Sequence, residues 1–501
     1  MHTFASPLQR ARTTAGSRTS VVCGDLTLTW GQTAERCGRL AGALAALGLE
    51  RGDRVAVVAL NCHRYLELYQ AVPAAGYVLV PLNTRHLEAE LRYALVDSGS
   101  RVLVTDRDPG PLAALVEHVI RLDTGQYDDL VARADERELG VGVLEDDLAG
   151  LFYTGGTTGA AKGVMLSHRN LVANTISGLL TIGLRPEDRW LAMAPMFHAA
   201  GTFCVLGATW IGASHVVLPA FDPGAALDLL ERERCTATIA VPAMLAAMNE
   251  EQLARPRDTS SLRVLTHGAA PVATEVLRRA TVAFPAAELV HLYGTTECAP
   301  LITASAHEER LLDGPLARSC GQALVGCEVA ILDPLGERLP VGEVGEVVVR
   351  GPNVMRGYWD KPRETAEVLV DGWYRTGDLG RLDGAGFLFL VDRAKDMVVT
   401  GGENVYCTEV EEALYRHPSV LEAAVFGVPD ERWGEAVHAV VVPRAEVTAV
   451  ELIAHCRTLV AAYKVPKTIE VTDLSLPKSG AGKVLKRQLR DPYWAGRDTR
   501  I

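Results

Sequence analysis

Three features of this chain predict an α/β fold with parallel sheets, a small barrel-like β part and a compact α+β tail. Apolar, β-branched runs alternate with helical patterns from about residue 54 to about residue 266. After about Gly314 the texture changes to short strands separated by Gly and Pro turns. The final stretch sets helices and strands close together.

The elements follow in order. Arg54-Val-Ala-Val-Val-Ala-Leu60 reads as a strand, then a helix near His63 to Ala75, then a strand at Val78-Leu-Val-Pro81. The rhythm repeats at Arg101–Val104, Val216–Leu218, Thr238–Val241 and Arg263–Thr266. Leu151-Phe152-Tyr153 looks like a strand end, and Ser167 is placed to cap a helix over His168 to Ile182. Phe203 to Ala213 is the most apolar piece and reads as buried core. Val329–Leu332, Gly345–Arg350 and Gly386–Val391 are the short strands of the barrel-like part. The tail predicts helices near Thr408–Arg416 and Ala449–Ala462, with strands at Ala423–Val428 and Ala439–Val442. The polar segment Asp392-Arg-Ala-Lys-Asp396 lies between strands and suits a boundary or hinge.

Composition limits the classes of function. A chain of 501 residues exceeds one ordinary domain. A net charge of −12 argues against a nucleic-acid partner. Ten cysteines without a CxxC pair read as reduced thiols of a cytoplasmic protein, not as a disulfide or zinc framework. The N-terminus lacks a basic region followed by an apolar run, so no signal peptide is expected. No apolar stretch reaches the ~18 residues of an integral membrane segment.

The chemistry concentrates in seven segments. Tyr153-Thr-Gly-Gly-Thr-Thr-Gly-Ala-Ala-Lys-Gly163 combines glycines, hydroxyls and a lysine, which is what a loop needs to wrap a polyphosphate. It is not a Walker A loop, because Lys162 stands between Ala161 and Gly163. Pro195-Met-Phe-His198 is an aromatic–imidazole turn, and Gly268-Ala-Ala-Pro271 is a small-residue turn against which a flat ring packs. Tyr293-Gly-Thr-Thr-Glu297 offers hydroxyls and a carboxylate, the hard oxygens that suit phosphate and Mg²⁺. Gly372-Trp-Tyr-Arg-Thr-Gly-Asp378 puts an acid after a tight turn, where it suits a ribose diol. Asp392–Asp396 with Gly401-Gly-Glu-Asn404, and Pro477-Lys-Ser-Gly-Ala-Gly-Lys483, complete the set. Each alone has an ordinary reading: a flexible turn, a core histidine, a capped helix start, a hairpin, a solvated charge run, a basic tail.

In this order and spacing the seven segments resemble the core motifs of the adenylate-forming superfamily: acyl- and aryl-CoA synthetases, peptide-synthetase adenylation domains and luciferases. Gly52-Asp-Arg-Val-Ala56, Val80-Pro-Leu-Asn83 and Asp97-Ser98 extend the resemblance toward the N-terminus. It implies a large α/β domain of two sheet subdomains plus a barrel-like part, and a small mobile α+β domain. The expected bounds are residues 1–392, a hinge at 393–396, and 397–501. The implied reaction joins a carboxylate to AMP at the expense of Mg·ATP, then passes the acyl group to a thiol, usually that of coenzyme A.

The roles carry over by position. Thr154, Gly155, Gly156, Thr157, Thr158 and Gly159 would line the phosphates, with Lys162 supporting the loop. Gly268, Ala269 and Ala270 would border the adenine, alongside Tyr293, Gly294 and Thr295. Thr296 would contact the α-phosphate and Glu297 would orient Mg²⁺. Asp378 and Arg393 would take the ribose, and Lys395 would be the hinge. Lys483 would bridge the carboxylate and α-phosphate. His198 would gate an acyl pocket formed with Phe197, Gly201, Thr202, His267 and Gly294. Gly401, Gly402 and Glu403 would line the coenzyme A tunnel.

Two departures from the family pattern predict a looser phosphate clamp: Gly155 stands for a serine and Ala161 for a proline. Weaker ATP binding with retained chemistry is expected. Phe197–Ala208 and Leu292–Leu301 carry no lysine or arginine, so a hydrophobic monocarboxylic acid, fatty or arylalkanoic, is expected over a dicarboxylic one. The chain carries no carrier domain up to residue 501, which favours coenzyme A as acceptor. The alternatives are a carrier protein or an amine as acceptor, or a catalytically dead relative. Homodimers are common in the family.

Overall fold

The computed structural model describes residues 3–154, 161–270, 272–307, 312–393, 396–400, 402–430, 432–478 and 484–495. Two large sheets form the N-terminal part. One has nine strands in the order Gln322–Ala323, Thr303–His307, Glu288–Tyr293, Val264–Gly268, Ala237–Ala240, Arg189–Ala192, Ser214–Val217, Thr19–Cys23 and Leu26–Thr29. Its six central strands run parallel. The other has seven strands, Gly357–Tyr358, Lys162–Ser167, Leu148–Thr154, Val78–Pro81, Arg54–Val58, Val102–Thr105 and His118–Arg121. There the last five are parallel. Parallel strands buried on both faces need continuous apolar runs, which is what Val78–Pro81 and Val102–Thr105 supply.

The helix His168–Ile182 begins as its sequence dictates. Ser167 Oγ accepts from the Asn170 backbone N–H and the Asn170 side chain returns the bond, a capping box. The apolar helix Ala199–Ile211 is buried nearly throughout, as expected for a helix without a polar face. Its Phe203 packs edge-on to Trp190, ring centroids 6.2 Å apart.

The barrel-like part is an antiparallel five-stranded sheet of Glu328–Leu332, Gly345–Arg350, Trp373–Leu382, Leu369–Val370 and Leu388–Arg393. Two of the ordinary readings fail here. Asp378 lies inside the long strand Trp373–Leu382 and not in a hairpin turn; the turn is upstream, where Asp371 and Gly372 take φ of 50° and 80°. Asp392 is not solvated: it is buried, and its carboxylate accepts from the Cys407 backbone N–H.

The small C-terminal domain packs helices Cys407–Tyr415 and Ala449–Arg457 on a sheet built around the long hairpin Val420–Asp430 and Gly434–Pro443. The second helix stops at Arg457, short of the expected Ala462. There Leu459 and Val460 N–H groups both turn onto the Cys456 carbonyl, tightening the last turn. Several side-chain contacts join this domain to the large one, among them Arg318 with Glu412 at 3.8 Å and Thr408 Oγ1 donating to the Val391 carbonyl. Thr274 Oγ1 donates to Glu412 Oε1 at 3.3 Å, and Arg444 Nη1 meets Glu250 Oε1 at 3.1 Å. No helix among the described residues is long and apolar enough to cross a membrane.

Candidate functional site

The parallel strands set the location. In both sheets their C-terminal ends reach one edge, the place where open α/β sheets bind ligands. The segment Leu292–Glu297 leaves the nine-stranded sheet there and touches three of the other predicted segments.

Its first contact is with the small-residue turn. Gly268 pairs with Leu292 in the parallel ladder. A Cβ at Gly268 would lie 2.0 Å from the Leu292 carbonyl oxygen, so only glycine fits this approach. Ala269 follows in a left-handed conformation, φ 68°, and is exposed beside Ala270. Gly294 is equally constrained: a Cβ there would stand 1.8 Å from the Pro300 carbonyl oxygen.

The second contact is with the acid. Tyr293 OH donates to Asp378 Oδ2 at 2.7 Å, and both groups are buried. Burial first, then the Asp378 charge, push the Tyr293 hydroxyl pKa well up, so it stays a donor at neutral pH. Asp378 pairs with Arg393 across the antiparallel ladder, which brings together the two residues expected at the ribose.

The third contact runs through a residue that sequence reasoning missed. Tyr358 OH donates to Glu297 Oε1 at 3.1 Å, and Lys162 Nζ lies 4.8 Å from the centroid of the same ring. The geometry is that of a cation–π contact. Tyr358 sits on a two-residue strand paired with Lys162–Ser167, and the neighbouring Met355 N–H donates to the Glu297 carbonyl at 2.8 Å. Burial, then the Glu297 charge, raise the Tyr358 pKa as well. One aromatic ring therefore links the lysine of the phosphate loop to the carboxylate expected at the metal. The cluster Gly357-Tyr-Trp-Asp-Lys-Pro362 was a visible signal, with two adjacent aromatics between a glycine and a proline.

The acyl-site residues divide. Phe197 and His198 set their rings together, centroids 4.6 Å apart and tilted by 50°, at the start of the helix Ala199–Ile211. Gly201 is needed here, since a Cβ would stand 2.8 Å from the Met196 carbonyl oxygen. Thr202 is buried against Tyr69, hydroxyl to hydroxyl at 3.5 Å. His267 is separated from them. Strand alternation puts it on the face of Leu265, which packs with Leu245 and Leu277 of the covering helices, whereas Thr266 and Gly268 face the other way. His267 sets its ring beside that of His291, its partner in the ladder, centroids 5.0 Å apart and tilted by 39°.

Gly402, φ 84°, leads into Glu403, the first residue of the strand Glu403–Val405, which pairs with Val398–Thr400. Gly155, Gly156, Thr157, Thr158, Gly159, Lys395, Gly401 and Lys483 lie outside the described residues, as does the side chain of Arg393. Thr154 ends its strand paired with Lys162, so the phosphate loop springs from adjacent strand ends. The Lys483 segment is closed by a bridge between Lys478 and Val484. Ion pairs Lys478–Glu422 at 2.6 Å and Lys486–Glu411 at 2.7 Å hold its flanks.

Glu297 follows Thr295 and Thr296 in the chain, and such hard-oxygen side chains suit Mg²⁺. Among the described residues no three His, Cys, Asp or Glu side chains converge as a self-sufficient metal site. A cation here would share its ligands with phosphate.

Comparison with known proteins identifies the family. Residues 8–359 match the AMP-binding enzyme family, and residues 409–483 match the AMP-binding enzyme C-terminal domain. A feruloyl-CoA synthase of Amycolatopsis sp is 43% identical over 494 residues, 97% of each chain. The fatty acid–[acyl-carrier-protein] ligase ScoC of Streptomyces coeruleorubidus is 36% identical over 95% of this chain and 93% of its own. ATP-bound MatB from Rhodopseudomonas palustris superposes with a TM-score of 0.90 at 32% identity, covering 98% of this chain and 99% of that one.

Proposed function

The chain belongs to the AMP-binding enzymes, and from that premise we propose that it is an ATP-dependent acid–thiol ligase. It activates a hydrophobic carboxylic acid as acyl-AMP and transfers the acyl group to coenzyme A, releasing pyrophosphate and then AMP. The observation that carries this reading is the convergence on Leu292–Glu297 of the Gly268 turn, Asp378, and Lys162 through Tyr358.

The chemistry follows from charge. A carboxylate is a weak nucleophile and shares the sign of the triphosphate it must approach. Lys162 and the loop N–H groups offset that repulsion and stabilise the departing pyrophosphate. Mg²⁺ bound with ATP would neutralise phosphate charge, and Glu297, with one oxygen held by Tyr358, is the side chain that would hold it. Asp378 takes the ribose hydroxyls, Thr296 the α-phosphate, and Lys483 bridges the reacting groups. His198 gates the acid. In the second step the thiol attacks the acyl carbonyl, the C–O bond to the phosphate breaks, and AMP leaves. The small domain turns about Lys395 between the steps, and Gly401 and Gly402 then line the pantetheine path.

The acid is a hydrophobic monoacid, and an aryl acid of the feruloyl type is the first choice. The 43% identity to a feruloyl-CoA synthase against 34–36% for relatives named for fatty acids supports that order. The buried apolar helix Ala199–Ile211 offers no cation to a second carboxylate. A carrier protein as acceptor is the second reading, favoured by the ScoC likeness. The test is AMP release with ferulate, dodecanoate and a dicarboxylate, with coenzyme A or an acyl-carrier protein. Ferulate with coenzyme A should be fastest. AMP formed only with the carrier protein would overturn the coenzyme A reading, and no AMP with any acid would overturn both.

A further inference from the structure

Asn61 follows the strand Arg54–Val58 of the seven-stranded sheet and is 4% exposed. Its Oδ1 accepts from the Met196 N–H at 2.9 Å. Its Nδ2 donates to the Ala194 carbonyl at 2.9 Å and faces the Ala192 and Leu218 carbonyls, each at 3.3 Å. Its own backbone N–H donates to the Pro219 carbonyl at 3.2 Å. Those partners all lie at or just past the C-terminal ends of Arg189–Ala192 and Ser214–Val217, in the other sheet. One side-chain amide thus ties the ligand-facing edges of the two sheets together.

The tie lands on the turn Pro195-Met196-Phe197-His198. Tyr69 OH donates to the Met196 carbonyl, so both backbone groups of Met196 are held by side chains of the other sheet's segment. Gly201 closes on the same carbonyl from below. His198 comes two residues later, in an extended conformation before its helix, with its ring on Phe197. The backbone at Met196 therefore sets where the imidazole starts. The residue type matters: only an amide supplies one acceptor and two donors at this reach. An aspartate would turn a second oxygen onto the carbonyls, and an alanine would leave a buried N–H and buried carbonyls without partners.

We infer that Asn61 is a positioning residue for His198 and hence for acceptance of the acid. The inference rests on the proposed function, and its test separates the two. ATP–pyrophosphate exchange is measured with wild type, Asn61→Ala, His198→Ala and the double variant. Asn61→Ala should raise KM for the acid about tenfold while KM for ATP stays within about twofold, and should add nothing once His198 is alanine. A rise in both KM values together, or losses that multiply in the double variant, would reduce Asn61 to a general brace and overturn the inference. Should Asn61→Ala fail to fold, Tyr69→Phe removes one hydroxyl from the same turn without loss of volume. It should give the same split at about threefold, and an unchanged acid KM would overturn the inference equally. Wild type inactive with every acid would sink the proposed function, whereas a uniform Asn61 effect would sink only the positioning role.

Discussion

Tyr358 carries much of the argument at the scale of single residues. Its hydroxyl is kept protonated by burial and by Glu297, so it holds one carboxylate oxygen in place while its ring faces Lys162. A hydrogen bond to a charged group contributes about 1.5–3 kcal/mol, so its loss is measurable. Tyr358→Phe should lower kcat/KM for ATP about tenfold or more and raise the Mg²⁺ concentration at half-maximal rate, leaving KM for the acid unmoved. Unchanged Mg²⁺ dependence would show that Glu297 needs no such hold. Glu297, Asp378 and Lys162 were legible in the sequence because a carboxylate or lysine among glycines and threonines announces phosphate chemistry. Tyr358, Asn61 and Tyr69 were not. Each acts on a group more than sixty positions away, and neither periodicity nor composition encodes such a partner.

At the scale of elements, His168 shows how a local signal becomes a stability term. The Ser167 cap that fixes the start of His168–Ile182 was readable, and the structure has it. The cap also buries His168, whose Nδ1 accepts the Phe4 N–H at 3.2 Å and ties down the first helix, Ala5–Ala15. Burial holds this imidazole at a pKa of about 4, with Arg51 adding to the shift and Asp147 opposing it. The ordinary value is 6.5, so between pH 6.5 and 4 the unfolded chain binds the extra proton. Stability is therefore full above 6.5 and falls as pH drops toward 4. The loss is on the order of 3 kcal/mol for this group. His63, also near 4 through burial and then Arg64, works in the same direction. Thermal melting should fall between pH 6.5 and 4.5, and His168→Asn should make that slope measurably shallower. An unaltered slope would assign the acid sensitivity elsewhere. Strand parity was the less legible part: a one-residue offset separates Thr266 from His267, and only the register of the sheet tells which of the two packs on which layer.

At the scale of the whole molecule, the fold class was the most legible property, because strand–helix alternation leaves few topologies. What alternation does not reveal is that two sheets set their C-terminal edges against each other. Segments near residues 61, 154, 196, 268, 297 and 378 are scattered in sequence, and those edges together with the five-stranded sheet gather them. The small domain touches the large one through Glu412, on Thr274, and Arg444, on Glu250. The central claim is that the acid is activated by joining its oxygen to AMP. It is tested by supplying ferulate labelled with ¹⁸O in the carboxylate, with ATP and coenzyme A, and weighing the products by mass spectrometry. Attack of the carboxylate on the α-phosphorus, followed by thiol attack at the acyl carbon, predicts one ¹⁸O in each AMP and none in pyrophosphate. Unlabelled AMP formed together with the thioester would contradict the account.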